Sequence, residues 1–323
     1  MLRRTALALL AVAFAGPAFG QAYPSKPITM IVPFSAGGPT DVMARIVGER
    51  MSKELGQQII IDNVAGAAGT IAMGKLARSA PDGYTIGIGH LGTNVVNGAI
   101  YKNLNYDLQN DLTPIARLPS NPLLVVTSNQ IPAKDLKDLV AYLKANADKI
   151  SGGTAGMGSG SHIGVLAFFA ATGTNYQLVP YRGTGPAVQD LIANQIQIMI
   201  DQSSNSLPHI RAGKLKVYAV TAKVRNAAAP EIPTTAEAGF PGIEVAIWHG
   251  LWAPKGTPPE IIAKLNAAAI AALKDQEVRR KLEDLGQDIP TPEQMAPAAF
   301  ADYQKAEVAK WTPIIEKAGV KAE

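Results

Sequence analysis

The sequence predicts an α/β protein built as a two-lobe clamshell, each lobe a largely parallel sheet flanked by helices, hinged on two strands. Three observations predict it. β-rich runs alternate with helical patterns through almost the whole chain, joined by short links, which is how parallel sheets covered by helices read. No period of about 20–50 residues recurs, which removes solenoids and propellers. The alternation is also interrupted twice, at Leu118-Pro119-Ser120-Asn121-Pro122 and at Gly239-Phe240-Pro241-Gly242, so that a chain leaving one lobe returns to it later.

Taken in order, residues 1–22 read as a secretion signal removed from the mature protein: Arg3-Arg4, an apolar run from Ala6 to Phe14, then Ala18-Phe19-Gly20 or Gly20-Gln21-Ala22 for cleavage. The apolar run is too short to span a bilayer. The first strand is Ile28–Val32, followed by a helix over Thr40–Leu55 with Val42, Ile46, Val47 and Met51 at helical spacing. Strands at Gln58–Asp62 and Tyr84–Gly89 bracket a helix over Ile71–Ser79. After the first interruption come strand Leu123–Thr127, helices Leu136–Ala147 and His162–Ala171, strand Gln177–Val179 and helix Pro186–Ala193. Strands Gln197–Ile200 and Lys216–Thr221 lead to the second interruption and an apolar strand at Glu244–Trp248, continuing to Ala253. Helices over Pro259–Leu273, Glu277–Leu285 and Met295–Ala318 complete the chain as scaffold. This places lobe one at 23–122 plus 246–323 and lobe two at 123–245. Two consecutive domains would leave the C-terminal helices with no sheet to cover.

Composition excludes several chemistries. The chain has no cysteine, hence no disulfide, thiolate catalysis, cysteine-ligated metal or lipid-modified cysteine anchor. Without Arg3 and Arg4 the net charge falls from +4 to +2, with basic residues scattered, so nucleic acid is not an expected partner. His90, His162, His209 and His249 lie far apart, His162 has no second ligand at i+3 or i+4, and neither a metal nor a cofactor is expected. There is no H-E-x-x-H, P-loop or G-x-S-x-G.

Two turns carry the functional signal. Pro33-Phe34-Ser35-Ala36-Gly37-Gly38-Pro39-Thr40-Asp41 joins a strand to a helix start, where unpaired N–H groups and the positive end of the helix dipole converge. Gly37-Gly38 permits close backbone approach, Pro39 suits the first helical position, and Asp41 is expected to turn away and hold the loop's own N–H groups. The second turn, Gly156-Met157-Gly158-Ser159-Gly160-Ser161-His162, repeats the chemistry, with Thr154, Ser159 and Ser161 offering hydroxyls and His162 either bonding a ligand or capping. Facing turns of this kind suit one small anionic ligand between two lobes. Gly87-Ile88-Gly89-His90-Leu91-Gly92 matches a dinucleotide fingerprint formally, but no long helix follows and no acid stands about 20 residues on. It reads instead as a ligand-facing loop, with His90, Thr93 and Asn94 as contacts. The links Asn63–Thr70 and Tyr181–Ala187 either line the cleft or are ordinary connections. Asp201, at a strand's end, suits a ligand amine or hydroxyl, or a hinge contact.

These residues resemble the extracytoplasmic solute receptors of the tripartite tricarboxylate transporter system, the Bug family, over essentially the whole mature chain. The resemblance rests on Tyr23-Pro24-Ser25-Lys26-Pro27, Pro33 through Asp41, Asn63 with Gly66 to Gly69, Pro81-Asp82-Gly83-Tyr84, Tyr106-Asp107, Gly158-Ser159 with His162, and Pro180-Tyr181-Arg182-Gly183. Ala212-Gly213-Lys214-Leu215, Pro233-Thr234 with Glu237, and Trp248-His249-Gly250 leading to Pro254-Lys255-Gly256-Thr257-Pro258 extend it. It implies carboxylate capture by the loops at Phe34–Asp41 and Gly156–His162, through backbone amides, hydroxyls and ordered waters. It departs at Asn63–Gly69, where a proline before the first glycine and a Gly–Gly ending are commoner, and at Asn194, where glycine is usual.

The expected function is therefore a periplasmic solute-binding protein that captures a small organic acid, a dicarboxylate first of all, aliphatic or aromatic, and delivers it to integral-membrane transporter subunits. A ligand-sensing partner for a membrane signalling protein would share the fold. An exported hydrolase with a dispersed set around Ser159 and His162 is the third reading.

Overall fold

A computed structural model describes residues 23–321. The expected signal segment lies outside them. The elements run β1 (Ile28–Val32), α1 (Pro39–Leu55), β2 (Ile59–Asn63), α2 (Thr70–Ala77), β3 (Thr85–His90), a π-helical turn (Gly92–Val96) and α3 (Asn97–Ile100). Next come β4 (Leu112–Ser128), α4 (Leu136–Ala145), β5 (Ser151–Thr154), α5 (Gly160–Thr172), β6 (Gln177–Pro180), α6 (Thr184–Ile192), β7 (Ile198–Gln202), α7 (Ser203–Arg211) and β8 (Leu215–Val220). β9 (Ala246–Pro254), α8 (Pro259–Lys274), α9 (Gln276–Asp284), α10 (Pro292–Met295) and α11 (Pro297–Lys317) complete the chain.

The strands form one continuous sheet in the order β2-β1-β3-β9-β4-β7-β5-β6, with β8 also paired to β4. At one end β2, β1 and β3 are parallel, and at the other β7, β5 and β6 are parallel. The centre is antiparallel, because β9 runs against β3 and β4, and β4 runs against β7 and β8. β4 belongs to both lobes. Its first part pairs with β9, from Leu112↔Pro254 to Pro122↔Ala246, and from Leu123 onward its partners are β7 and β8.

β4 corrects the expected break before Leu123. Proline cannot donate to a ladder, so Pro119 and Pro122 read as an interruption. The strand instead runs through them, with register irregularities between Pro114 and Ala116 and between Leu118 and Ser120. Ser120 still exchanges backbone hydrogen bonds with Asp288 at 2.9 Å each way.

Three buried clusters hold the layers. Ile28, Met30 and Val32 of β1 pack with Met43, Val47 and Met51 of α1 and with Leu265, Ala269 and Ala272 of α8. Leu124, Val126 and Met199 pack under Val188 and Leu191 of α6. On the other face Trp248 and Trp252 of β9 pack with Phe300 of α11, ring centroids 5.8 and 4.9 Å away, inside a cluster that extends to Phe168 and Ile200. Their indole N–H groups are satisfied by Glu307 and Gln304 of α11. No helix among the described residues is long and apolar enough to cross a membrane.

Candidate functional site

The first turn is built around Asp41. Its buried carboxylate accepts from the Gly37 N–H at 2.9 Å, from Asn63 Nδ2 at 2.9 Å, and from Arg45 Nε and an Arg45 terminal nitrogen at 2.9 and 3.0 Å. Each oxygen thus takes two donors. Burial alone would push this carboxyl up, but the hydrogen bonds from Arg45, Gly37 and Asn63 outweigh it and hold it below the usual carboxylate range. Asn63 also donates to the Phe34 carbonyl at 3.0 Å, so β2 fixes the turn from the side. Gly37 has φ +83° with open space around it, so the constraint there is conformational.

The second turn uses its side chains on itself. Ser159 caps α5 by accepting from the His162 N–H at 3.3 Å, Ser161 Oγ accepts from the Ala155 N–H at 2.9 Å, and the Gly158 N–H donates to His162 Nδ1 at 3.2 Å. His162 is therefore a cap, with its free ring nitrogen protonated. Burial lowers its pKa to about 4. His90 repeats the device: Nδ1 accepts from the Gly92 and Thr93 N–H groups at 2.9 and 3.2 Å, which leaves Nε2 as the protonated nitrogen. Burial lowers its pKa to about 4 as well. His90 stacks on Phe34 at 5.1 Å and meets His249 edge-on at 5.5 Å, and His249 Nε2 lies 3.2 Å from Thr40 Oγ1. Thr93 is fully buried and holds the His90 backbone through its hydroxyl.

One cavity lies between the turns, about 10 Å³, room for roughly one water. Phe34, Gly38, Pro39, Thr40 and His90 line it from one lobe; Ala155, Ser159, Gly160, Ser161, Thr184 and Gln202 line it from the other. Ser35, Ala36, Gly37, Asp41, Thr93, Gly158, His162 and Asp201 are not in this lining; Asp41, Thr93 and His162 hold its backbone through their hydrogen bonds, whereas Ala36 and Gly37 are exposed. Asp201 is fully buried, its Oδ2 accepting from Ser206 at 2.6 Å and Asn205 at 2.7 Å; burial raises its pKa to about 6 against those bonds.

Four helices begin at this cavity. Pro39 and Thr40 open α1, Gly160 and Ser161 open α5, Thr184 opens α6, and Gln202 is the residue from which α7 starts. The sequence pointed to two of these ends. Thr184 fell in a link with two open readings, and Gln202 was missed by one residue. The strand-end rule finds the region, but the alternation of β7 decides which neighbour faces the cleft. No lining side chain is charged, and His90, the one histidine in the lining, is held neutral by burial. Neutral N–H groups and helix dipoles directed at one point favour an anion.

The lobes touch through glycine. The Ser35 N–H donates to the Arg182 carbonyl at 3.1 Å across the cleft. A Cβ on Gly185 would lie 3.1 Å from Gly37 C and Gly38 N, and one on Gly183 only 2.5 Å from Ser35 Oγ. The link Tyr181–Ala187 is thus a lobe contact as well as a helix start.

Residues 43–320 match the model of the tripartite tricarboxylate transporter family receptors. The chain belongs to that family. A member of known structure, MatC from Rhodopseudomonas palustris with bound malate, is 42% identical, with a TM-score of 0.88 over 91% of this chain and 100% of that one. The periplasmic binding protein BugD is 39% identical, TM-score 0.90, over 93% and 100%. An R. palustris protein solved with adipate is 33% identical, TM-score 0.87, over 92% and 98%. The family is one of binding receptors rather than enzymes. The geometry of the second turn agrees, since Ser159 Oγ is engaged by the His162 N–H and by Ser161 Oγ at 3.1 Å, while the His162 ring faces Gly158.

Proposed function

We propose that this receptor captures a small organic carboxylate between its lobes in the periplasm and delivers it to the integral-membrane subunits of a tripartite transporter. The observation that carries the reading is the convergence of four helix N-termini on one uncharged cavity. Each end favours a partly buried anion by up to about 2 kcal/mol, and about 8 kcal/mol corresponds to micromolar affinity. Using neutral donors avoids the desolvation cost of a buried lysine or arginine. Thr40, Thr184, the one hydroxyl of the Ser159–Ser161 pair left free to donate, and the Nε2–H of His90 supply the direct hydrogen bonds, while Asp41, Thr93 and His162 hold those donors in place. The two lobes, 23–122 with 246–323 and 123–245, rotate about β4 and the chain leading into β9. Malate and adipate in related receptors support the ligand class.

A thermal-shift screen of refolded protein against mono-, di- and aromatic carboxylates, sugars and cations tests the reading, since a ligand that binds only the folded state raises melting. A rise with a narrow set of acids, each recovered chemically unchanged, is the expected result. Shifts with sugars or cations and none with acids would overturn it.

A further inference from the structure

The glycine motif Gly87-Ile88-Gly89-His90-Leu91-Gly92 ends where the π-helical turn Gly92–Val96 begins, and its last two glycines make room for one imidazole. A Cβ on Gly89 would collide with Asn94 Oδ1 and lie 2.9 Å from Thr93 Oγ1. One on Gly92 would lie 2.7 Å from His90 Cε1 and 3.1 Å from His90 Nδ1. With both positions bare, the ring folds back over the turn. The Thr93 hydroxyl ties the two together, accepting from the His90 N–H at 2.8 Å and donating to Asn94 Oδ1 at 2.6 Å.

A π turn is a rare geometry that occurs mostly as a single turn at functional sites. Here the Asn97 N–H closes it on the Gly92 carbonyl, five residues back. One side chain from far along the sequence grips it. Gln304 of α11 is buried, and its Nε2 donates to the Asn94 carbonyl at 3.0 Å and to the Leu108 carbonyl at 3.4 Å. Its Oε1 accepts the Trp252 indole N–H at 3.1 Å. These partners force the orientation of the amide, since an indole can only donate and a carbonyl only accept. The Asn94 carbonyl is one residue beyond Thr93, whose N–H, with that of Gly92, is aimed at His90 Nδ1. Displacing that carbonyl therefore displaces the donors that set the ring.

We infer that Gln304 is a positioning residue for ligand binding: from α11 it clamps the π-helical turn, so that two backbone N–H groups stay on His90 Nδ1 and the ring keeps its own N–H, at Nε2, for the cavity. Gln304 is not in the cavity lining and acts only through the turn and His90. Without the clamp the Nδ1–H tautomer becomes accessible, and Nε2 would then turn a lone pair toward an anion. This rests on the proposed capture of a carboxylate by the cavity that His90 lines.

Nitrogen-15 spectra of the full mature protein, labelled at histidine, test it, because the two neutral tautomers of an imidazole differ in their ring-nitrogen shifts; His90→Gln assigns the signals. Wild type should show His90 as the Nε2–H tautomer alone, and a mixture there overturns the inference at once. Gln304→Met fills the same space without a polar group, and Gln304→Leu serves if that variant is too unstable. Either should show both tautomers of His90 and bind malate or adipate about tenfold more weakly by calorimetry. A role in packing alone would lower the melting temperature yet leave His90 in one tautomer and the affinity as in wild type, and that result overturns the inference. Binding of neither acid by wild type would count against the capture reading, while the tautomers would still decide the role of Gln304.

Discussion

At the scale of single residues, the site is organised by groups whose charge is suppressed. His90 and His162 are both held neutral by burial, with pKa values near 4, and His249 lies well below the ordinary value for the same reason. Each of the first two lends Nδ1 to backbone N–H groups, so the tautomer is set by the chain and not by the ligand. The consequence for stability has a definite sign. Between about pH 6.5 and 4 the unfolded chain binds protons on these imidazoles and the folded chain does not, so stability falls as pH drops through that window. Asp201 acts oppositely: its folded pKa is raised to about 6, so its contribution is complete below about 3.8 and is lost as pH rises through 6. Two or more imidazoles outweigh one carboxyl, so melting temperature should decline steadily from pH 6.5 to 4.5. Asp201→Asn removes the opposing term and should steepen that decline. Scanning calorimetry across the range checks both slopes, and a flat profile would mean that the imidazoles charge without penalty.

At the scale of elements, the β1–α1 turn shows how a carboxylate is accommodated beside the proposed anion site. Asp41 lends its charge to Arg45, Gly37 and Asn63 and presents none to the cavity. Arg45 is half exposed, which tempers the ion pair, yet removing the acceptor leaves the Gly37 N–H and the Asn63 amide without theirs. Asp41→Ala should cost about 2 kcal/mol of stability and weaken ligand binding more than that loss explains, because the Gly37-Gly38 backbone loses its anchor. Denaturant melts beside binding titrations separate the two effects. That role was legible in the sequence, since an acid three residues past a Gly–Gly turn at a helix start has few other uses. Most of the alternating strands and helices were legible too. β5 was not: Ser151-Gly152-Gly153-Thr154 has no β-branched or aromatic run, and takes its place because β6 and β7 flank it on either side. α7 was hidden by Ser203-Ser204-Asn205-Ser206, residues of poor helix propensity, and by Pro208 within it. Missing α7 also meant missing Gln202 and the fourth helix end at the cavity. β4 was cut short because two prolines, Pro119 and Pro122, argued against a central strand, which tertiary pairing overrode through two register shifts.

At the scale of the whole molecule, the proposed capture depends on how closely two lobes approach, and glycine lines their contact. Gly183 faces Ser35 and Gly185 faces Gly37 and Gly38 across the cleft, Gly156 faces Ala68, and the Gly158 carbonyl lies against Gly92. Each lobe brings a helix start to the cavity through these contacts, so the four N-termini act together only when the glycines are in register. Gly185 is the most informative position. Its backbone does not need positive φ, so alanine is tolerated by the open lobe, but the added methyl would meet Gly37 C and Gly38 N at 3.1 Å and the Ala36 carbonyl at 3.3 Å. All three are backbone atoms of the opposite lobe and cannot swing aside as a side chain would. Relief requires the lobes to part by a few tenths of an ångström or more, which lengthens every hydrogen bond spanning the cleft. Gly185→Ala should therefore melt as wild type does without ligand, bind its carboxylate about tenfold more weakly, and show a smaller ligand-induced decrease in radius of gyration by solution X-ray scattering. Wild-type affinity together with wild-type compaction would mean that the lobes grip the ligand without this contact, and that the helix ends act from a greater separation.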